Sequence, residues 1–467
     1  MDISEITTSS SVNGGGEVLQ MNELGFFPNV ENLTAQIEKL DTQEPKHRSL
    51  LESSYEVKVT RVDDEPLLSV TKFEELNLGP DLLKGIYEMG FTTPSKIQAK
   101  ALPLLLKKPP QNMIGQSQSG TGKTAAFVLT MLSRIDFNLK SPQALCLTPS
   151  RELARQIMVE VRKMGKYTPV ITAEAIRESH IRGNRSRHEE FAEAQLIVGT
   201  PGTVYDLLKK HVIEKKHMKI FVLDEADNML DQQGLGDQSI RIKNMMPREC
   251  QIVLFSATYS SEVRTFATRF APNANQFSLK VEELSVKTIK QFYMDCKNED
   301  HKFEVLDDLY TLLTIGQSII FVQKRETADR IAKRMTEKGH KVINLHGGLS
   351  TTERDEVMDG FRKGSAKVLI TTNVLSRGID VLQVNLVINY DIPMDLSGRN
   401  PDYETYLHRI GRTGRFGRSG VSINFVHDPV SWEVVKSIEK HFQREIVRVP
   451  TDDWDVVEKV LRKEVNN

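Results

Sequence analysis

Along most of the chain, short runs of aliphatic and β-branched residues alternate with longer segments whose apolar positions return at helical spacing. Runs at 113–114, 144–147, 196–198, 220–223 and 252–255 make a first set, and runs at 319–322, 342–345, 368–370, 386–388 and 421–425 a second. Runs that are apolar almost throughout fit strands covered on both faces, as in parallel sheets. Strands alternating with helical segments predict βαβ units, and right-handed crossovers stack the helices on both faces. The pattern therefore predicts an α/β protein with two tandem parallel-sheet domains. It lapses twice. Residues 1–70 open with a stretch rich in Ser, Thr, Gly and Asn, which buries too little apolar surface to offset its ordering entropy. They are expected to form a mobile N-terminal extension, with a short helix near 30–40. Residues 279–290 run polar and unpatterned and are expected to be a flexible linker. Domain one then spans 71–278 and domain two 291–467, closed by an amphipathic helix in 452–467.

Ligands of open parallel sheets bind beyond the carboxyl ends of the strands. The unusual residues of this chain cluster there. Segments 116–124, 148–153, 200–202, 224–227 and 256–258 each follow a first-set run, and 346–348 and 371–380 follow second-set runs.

Two of these segments carry phosphate chemistry. Ser119-Gly120-Thr121-Gly122-Lys123-Thr124 lies between a strand and a helix, with Ser117 where the phosphate-loop pattern has its first glycine. Gly120 and Gly122 let backbone N–H groups turn inward, and the helix N-terminus adds positive potential. Lys123 neutralises phosphate oxygens, and the Thr124 hydroxyl is a ligand for Mg²⁺. Asp224-Glu225-Ala226-Asp227 follows an apolar strand. Asp224 is expected to hold Mg²⁺ through water, and Glu225 to act as general base on the attacking water. Domain one has no arginine clearly aimed at a γ-phosphate. Domain two has no phosphate loop, but it has Arg409, Arg412 and Arg415 at i, i+3, i+6, expected on one helix face. Two incomplete domains are thus expected to complete one ATP site, with Lys123, Asp224, Glu225, Arg412 and Arg415 as its catalytic residues.

Composition narrows the partners. The 467 residues are 39% hydrophobic and 27% charged, ordinary for a globular protein. Lys and Arg total 62 against 63 Asp and Glu, a net charge of −1, so no domain-wide basic footprint exists and a nucleic acid must be gripped locally. Cys146, Cys250 and Cys296 are too few and too scattered for a metal or disulfide framework, and free buried thiols in a reducing compartment are expected. No apolar run approaches the ~18 residues of a membrane helix, so membrane insertion is not expected.

Taken together, these motifs resemble the DEAD-box RNA helicases over about residues 71–445, in family order. The resemblance implies two RecA-like domains. It assigns the adenine site to Phe91, which stacks on the base, and Gln98, which bonds its edge. It adds Gly378 at the phosphates and Asp380 at the ribose to the nucleotide contacts. It gives RNA contacts to Pro149, Arg151, Thr200, Gly202, Arg325 and Thr371, and coupling of ATP state to RNA grip to Ser256, Thr258, His408 and Arg409, the last supporting the acidic motif. Such contacts hold phosphates and do not read bases, and the 2′-OH separates RNA from DNA. Single-stranded RNA, bound without sequence preference, is the implied partner, and a monomer the expected state. Segments 116–123, 149–156, 199–203 and above all the insertion at 394–402 are similar to the subfamily that remodels mRNA–protein complexes at the nuclear pore. That likeness implies a cytoplasmic-face nucleoporin, an inositol hexakisphosphate-dependent activator, and a location in cytoplasm and nucleus. Departures are Ser150 and Thr203 in the two RNA motifs, the missing Gly-Gly pair in 171–179, and Thr351 three residues before Arg354 where relatives have Gln. A general helicase of translation or RNA processing, a DNA-directed two-domain motor and a nonenzymatic scaffold are the other readings.

Overall fold

The computed structural model describes residues 57–60, 69–116, 122–177, 187–231, 234–279, 289–313, 315–373, 384–395, 397–414 and 420–465. The expected helix near 30–40 lies outside them, as does the linker core at 280–288.

The described residues form two sheets. The strands of the first are β1 (Val57–Thr60), β2 (Met113–Gln116), β3 (Ala144–Leu147), β4 (Thr172–Ala175), β5 (Leu196–Gly199), β6 (Ile220–Leu223), β7 (Gln251–Ser256) and β8 (Asn275–Leu279). Their order is β1-β8-β2-β7-β6-β3-β5-β4, parallel apart from the β1–β8 pair. The second sheet holds β9 (Ile289–Asp295), β10 (Gln317–Phe321), β11 (Val342–Leu345), β12 (Val368–Thr371), β13 (Val384–Asn389), β14 (Gly420–Val426) and β15 (Val447–Val449). It is parallel throughout, in the order β11-β12-β10-β13-β14-β9-β15.

Alternation along each strand explains the layers, because successive side chains point to opposite faces. In the first sheet Cys146, Val198, Val222 and Val253 enter one core, while Leu145, Leu147, Ile197, Phe221 and Leu254 enter the core on the other face. In the second, Ile320, Ile370 and Ile388 face one core and Ile319, Leu369 and Val387 the other. Each fully buried aliphatic side chain contributes ~1.5–3 kcal/mol. All three cysteines are free and buried, as expected. The helix Trp454–Val465 closes domain two by burying Val457 and Leu461.

Five strands lie outside the runs that the sequence pattern picks out, among them the three-residue β15 beside β9. β1 falls within the N-terminal extension and adds an antiparallel edge, with Val59 opposite Phe277. β4 is Thr-Ala-Glu-Ala, an edge strand that only half buries and so lacks an apolar run. β8 and β9 abut the expected linker, so Leu279 and residues 289–290 are strand residues.

Candidate functional site: an inter-domain nucleotide and RNA cleft

The phosphate loop begins where β2 ends. Residues 117–121, and with them Ser119, Gly120 and Thr121, lie outside the described part. Gly122 follows with φ +95°, a left-handed conformation that suits glycine, and caps the helix Lys123–Arg134. A Cβ on Gly122 would sit 2.7 Å from Gln98 Nε2. That closeness is used: Gln98 Nε2 donates to the Gly122 carbonyl at 3.1 Å, while Gln98 Oε1 accepts from the Ser95 N–H at 2.9 Å in a capping box. The expected adenine-edge residue is therefore also a tie on the phosphate loop. Half-buried Phe91 packs at the edge of the first core.

Lys123 is the first residue of its helix, and its side chain is 7% exposed. Its Nζ lies 3.5 Å from Asp224 Oδ1, at the end of β6. Thr124 follows in the same first turn, partly exposed. Asp224 Oδ1 also accepts the Glu225 N–H at 3.0 Å. Glu225 has φ +54°, a left-handed conformation that costs a non-glycine residue on the order of 1–3 kcal/mol. Such strain clusters at functional sites, and here it turns a buried carboxylate next to Asp224. Burial raises the Glu225 pKa above its usual 4.5, Asp224 raises it further, and Lys123 and Arg412 oppose the shift. Glu225 Oε2 accepts from Asn228 Nδ2 at 3.3 Å.

Asp227 is the hub between the strand ends. Its Oδ2 accepts from the N–H groups of Ala257 and Thr258 at 3.2 and 3.0 Å, and its own N–H donates to Ser256 Oγ at 3.2 Å. Domain two meets it there. His408 Nε2 stands 3.7 Å from Asp227 Oδ2, and Thr258 Oγ1 bonds Glu404 Oε1. The residues expected to couple the two activities, Ser256, Thr258 and His408, are thus brought together.

The arginine cluster departs from expectation. The helix Tyr403–Ile410 ends before Arg412, so the three arginines do not share a helix face. Arg409 does not reach the acidic tetrad. Its guanidinium is buried inside domain two, where Nε and Nη1 donate to Asn373 Oδ1 and Asn389 Oδ1, both at 3.1 Å, and Nη1 to the Asp391 carbonyl at 2.7 Å. Burial pushes its pKa down to about 9. The physical reason is the helix end: Arg409 sits in its last turn on the inward face, against β13. Arg412 is also buried, with Nε donating to the His408 carbonyl at 3.0 Å, and near enough to Glu225 to lower its pKa. Arg415, Gly378 and Asp380 lie outside the described residues.

Of the expected RNA contacts, Thr200 and Gly202 are partly exposed at the start of the helix Pro201–Lys209, and Arg325 is exposed beside Glu326. Pro149 is buried in the turn after β3. Thr371 is a correction: its side chain is fully buried at the end of β12, with Oγ1 donating to the Leu345 carbonyl at 2.8 Å, so no RNA contact is open to that hydroxyl. Arg151 opens the helix Arg151–Met164, capped by Ser150, whose Oγ accepts from the Leu153 N–H at 3.2 Å. Its Nη2 lies 3.5 Å from Asp355 Oδ2 of domain two, and Arg155 pairs with the same carboxylate.

Sequence reasoning missed Glu404, Asp355 and Arg155. Glu404 lies one helical turn before His408, and Asp355 directly follows Arg354, so helical spacing from motif residues was the available signal.

Comparison with known proteins fits this geometry. The DEAD/DEAH box helicase model matches residues 95–266, and the helicase conserved C-terminal domain model matches residues 301–417. The ATP-dependent RNA helicase dbp5 of Schizosaccharomyces pombe is 60% identical over 436 residues, covering 92% of this chain and 85% of that protein. The structure of S. cerevisiae Dbp5 bound to RNA and ADP BeF3 is 55% identical, covers 85% of this chain and all of that one, and superposes with a TM-score of 0.79. A single-residue variant of S. cerevisiae Dbp5, bound to Nup159, a variant of Gle1, IP6 and ADP, is 54% identical, covers 84% of this chain and all of that one, and has a TM-score of 0.64. Two RecA-like parallel-sheet domains, an acidic tetrad tied to both, and relatives of this identity over nearly their whole length establish that the chain belongs to the DEAD-box ATP-dependent RNA helicases, the RNA-dependent ATPases of the Dbp5 type.

Proposed function

We propose that the chain hydrolyses magnesium-ATP between its two domains and uses the cycle to remodel mRNA–protein complexes during export at the nuclear pore. The observation that carries the mechanism is the Asp227 hub, where the acidic tetrad, the Ser256–Thr258 segment and the His408 helix meet across the domain boundary. Lys123 and the loop around Gly122 bind the phosphates, and Gln98 and Phe91 hold the adenine. Glu225 takes the proton of the attacking water. Arg412 and Arg415 stabilise charge on the transferred phosphoryl only when the domains close, an effect on the order of 10³–10⁵ in rate where such arginines act. The Thr124 hydroxyl and the Asp224 carboxylate are hard oxygen donors suited to Mg²⁺, which when bound neutralises the phosphate oxygens.

RNA lies along the segments after β3 and β5 and the start of the helix Arg325–Glu337, held by its phosphates and 2′-hydroxyls. The complexes of S. cerevisiae Dbp5 with RNA, with Nup159 and with Gle1 and IP6 support RNA, a cytoplasmic-face nucleoporin and an inositol hexakisphosphate-dependent activator as partners of this chain. A location at the nuclear pore, shared by cytoplasm and nucleus, belongs to the same reading. Among the described residues no helix is long and apolar enough to cross a membrane.

ATP turnover measured with single-stranded RNA, with matched DNA and without polymer tests the reading. RNA is expected to stimulate, DNA not, and Lys123→Ala to abolish turnover throughout. Equal stimulation by DNA, or none by RNA, defeats it. The pore assignment has its own test: the activator should raise turnover when inositol hexakisphosphate is added and not with unphosphorylated inositol.

A further inference from the structure

We propose that Glu404 is a positioning residue for ATP hydrolysis, holding domain two on domain one by accepting a hydrogen bond from the Thr258 hydroxyl. The proposal rests on the reading above that Arg412 acts on the nucleotide only in the closed arrangement. Thr258 Oγ1 lies within bonding distance of two carboxylates, Asp227 Oδ2 at 3.1 Å and Glu404 Oε1. The hydroxyl has one proton to give. Asp227 Oδ2 already accepts the N–H groups of Ala257 and Thr258. Glu404 is therefore the carboxylate to which the Thr258 hydroxyl donates.

The placement gives this bond leverage. Glu404 stands in the first turn of the helix Tyr403–Ile410, capped by Asp402, whose Oδ1 accepts the Thr405 N–H at 2.8 Å. His408 follows one turn later, and acceptor oxygens of Asp227 and Glu404 and a ring nitrogen of His408 lie within 4.8 Å of one another. Arg412 is tied to the same helix through the His408 carbonyl. Fixing the helix at Glu404 thus fixes the arginine beside Glu225. The bond crosses from one domain to the other, so it forms with closure and is absent when the domains part. It should therefore act on the rate of the closed complex and not on ATP capture by domain one.

The test uses the full chain with single-stranded RNA. Glu404→Ala should lower RNA-stimulated kcat by about 10-fold or more while the ATP KM moves by no more than about 2-fold. Glu404→Gln keeps an acceptor oxygen and should recover most of that loss. In a Thr258→Val background, Glu404→Ala should add little, because the bond is already gone. Unchanged kcat in the alanine variant overturns the proposal. So does a glutamine variant as slow as alanine, or full additivity with Thr258→Val. A native chain that shows no RNA stimulation at all would instead bring down the reading on which the proposal rests.

Discussion

The Gln98 side chain joins Gly122 to Ser95: its amide nitrogen donates to the Gly122 carbonyl at 3.1 Å, and its amide oxygen accepts the Ser95 N–H at 2.9 Å. One residue thus ties the segment expected to bind the base to the phosphate loop, and its second amide N–H is the donor proposed for the adenine edge. Gln98→Glu is nearly isosteric, yet it faces a carboxylate toward the Gly122 carbonyl and removes the donor. A buried acceptor facing an acceptor costs about 1–3 kcal/mol. The ATP KM of this variant should rise about 10-fold or more, with a smaller change in kcat. Steady-state kinetics at saturating RNA decides it, and an unchanged KM would show that the tie is incidental.

Glu225→Gln separates stability from catalysis. Burial and Asp224 push the Glu225 carboxyl above its ordinary 4.5, so ionised Glu225 is disfavoured in the folded, nucleotide-free protein. A raised acid pKa means a penalty that is absent below the unfolded value and fully present once the pH exceeds the folded one. Without ATP or metal, the glutamine variant should melt a few degrees higher than the native chain near neutral pH. The gain should fade as the pH falls to about 4.5. Turnover should drop by about 10²-fold or more, because no group remains to take the proton of water. A glutamine variant with native turnover would remove Glu225 from the role of base.

How much of this was legible beforehand follows from where each signal lay. The buried strands β3, β5 and β6 read directly, because a strand covered on both faces is an uninterrupted apolar run. Short edge strands such as β1 and the half-buried β4 did not, since an alternation of four residues is indistinguishable from a loop. Lys123 and Asp224 are brought to 3.5 Å as the strand-end argument requires. The arginine cluster failed in a specific way. Spacing at i, i+3, i+6 implies one face only while the helix lasts, and this helix stops at Ile410. Thr371 failed because a motif position does not tell which way a hydroxyl turns. Spacing from a motif residue can single out one member of a pair made across domains, such as Asp355 beside Arg354, but it does not say that Arg155 is the partner.

Arg409 has exchanged its expected ATP-side role for an internal one. Its partners are two asparagine oxygens and a backbone carbonyl, all neutral, and its guanidinium lies 4.9 Å from the Phe321 ring centroid. Lysine retains the charge but lacks the planar fork that spans Asn373 and Asn389. Arg409→Lys should therefore destabilise domain two by about 2–4 kcal/mol in urea unfolding. Its ATP KM in the absence of RNA should stay near native. A native urea midpoint would return Arg409 to the list of residues acting at the nucleotide.

Arg151 and Arg155 share Asp355 across the domain boundary, and the same face of the helix Arg151–Met164 is where RNA phosphates are expected. The three side chains are 15–26% exposed, so the interaction is screened and worth about 0.2–1 kcal/mol. Asp355→Asn removes the charge with little change in shape. Because the pair forms only when the domains meet, its loss should lower RNA-stimulated kcat by about 2–5-fold and leave nucleotide binding without RNA unchanged. The deficit should shrink as salt is raised, since added ions weaken the native pair and not the variant. Turnover of native and variant protein across a salt series is the measurement. A deficit that holds constant with salt would mean that Asp355 acts through packing, and no deficit at any salt would mean that the pair does not contribute to closure.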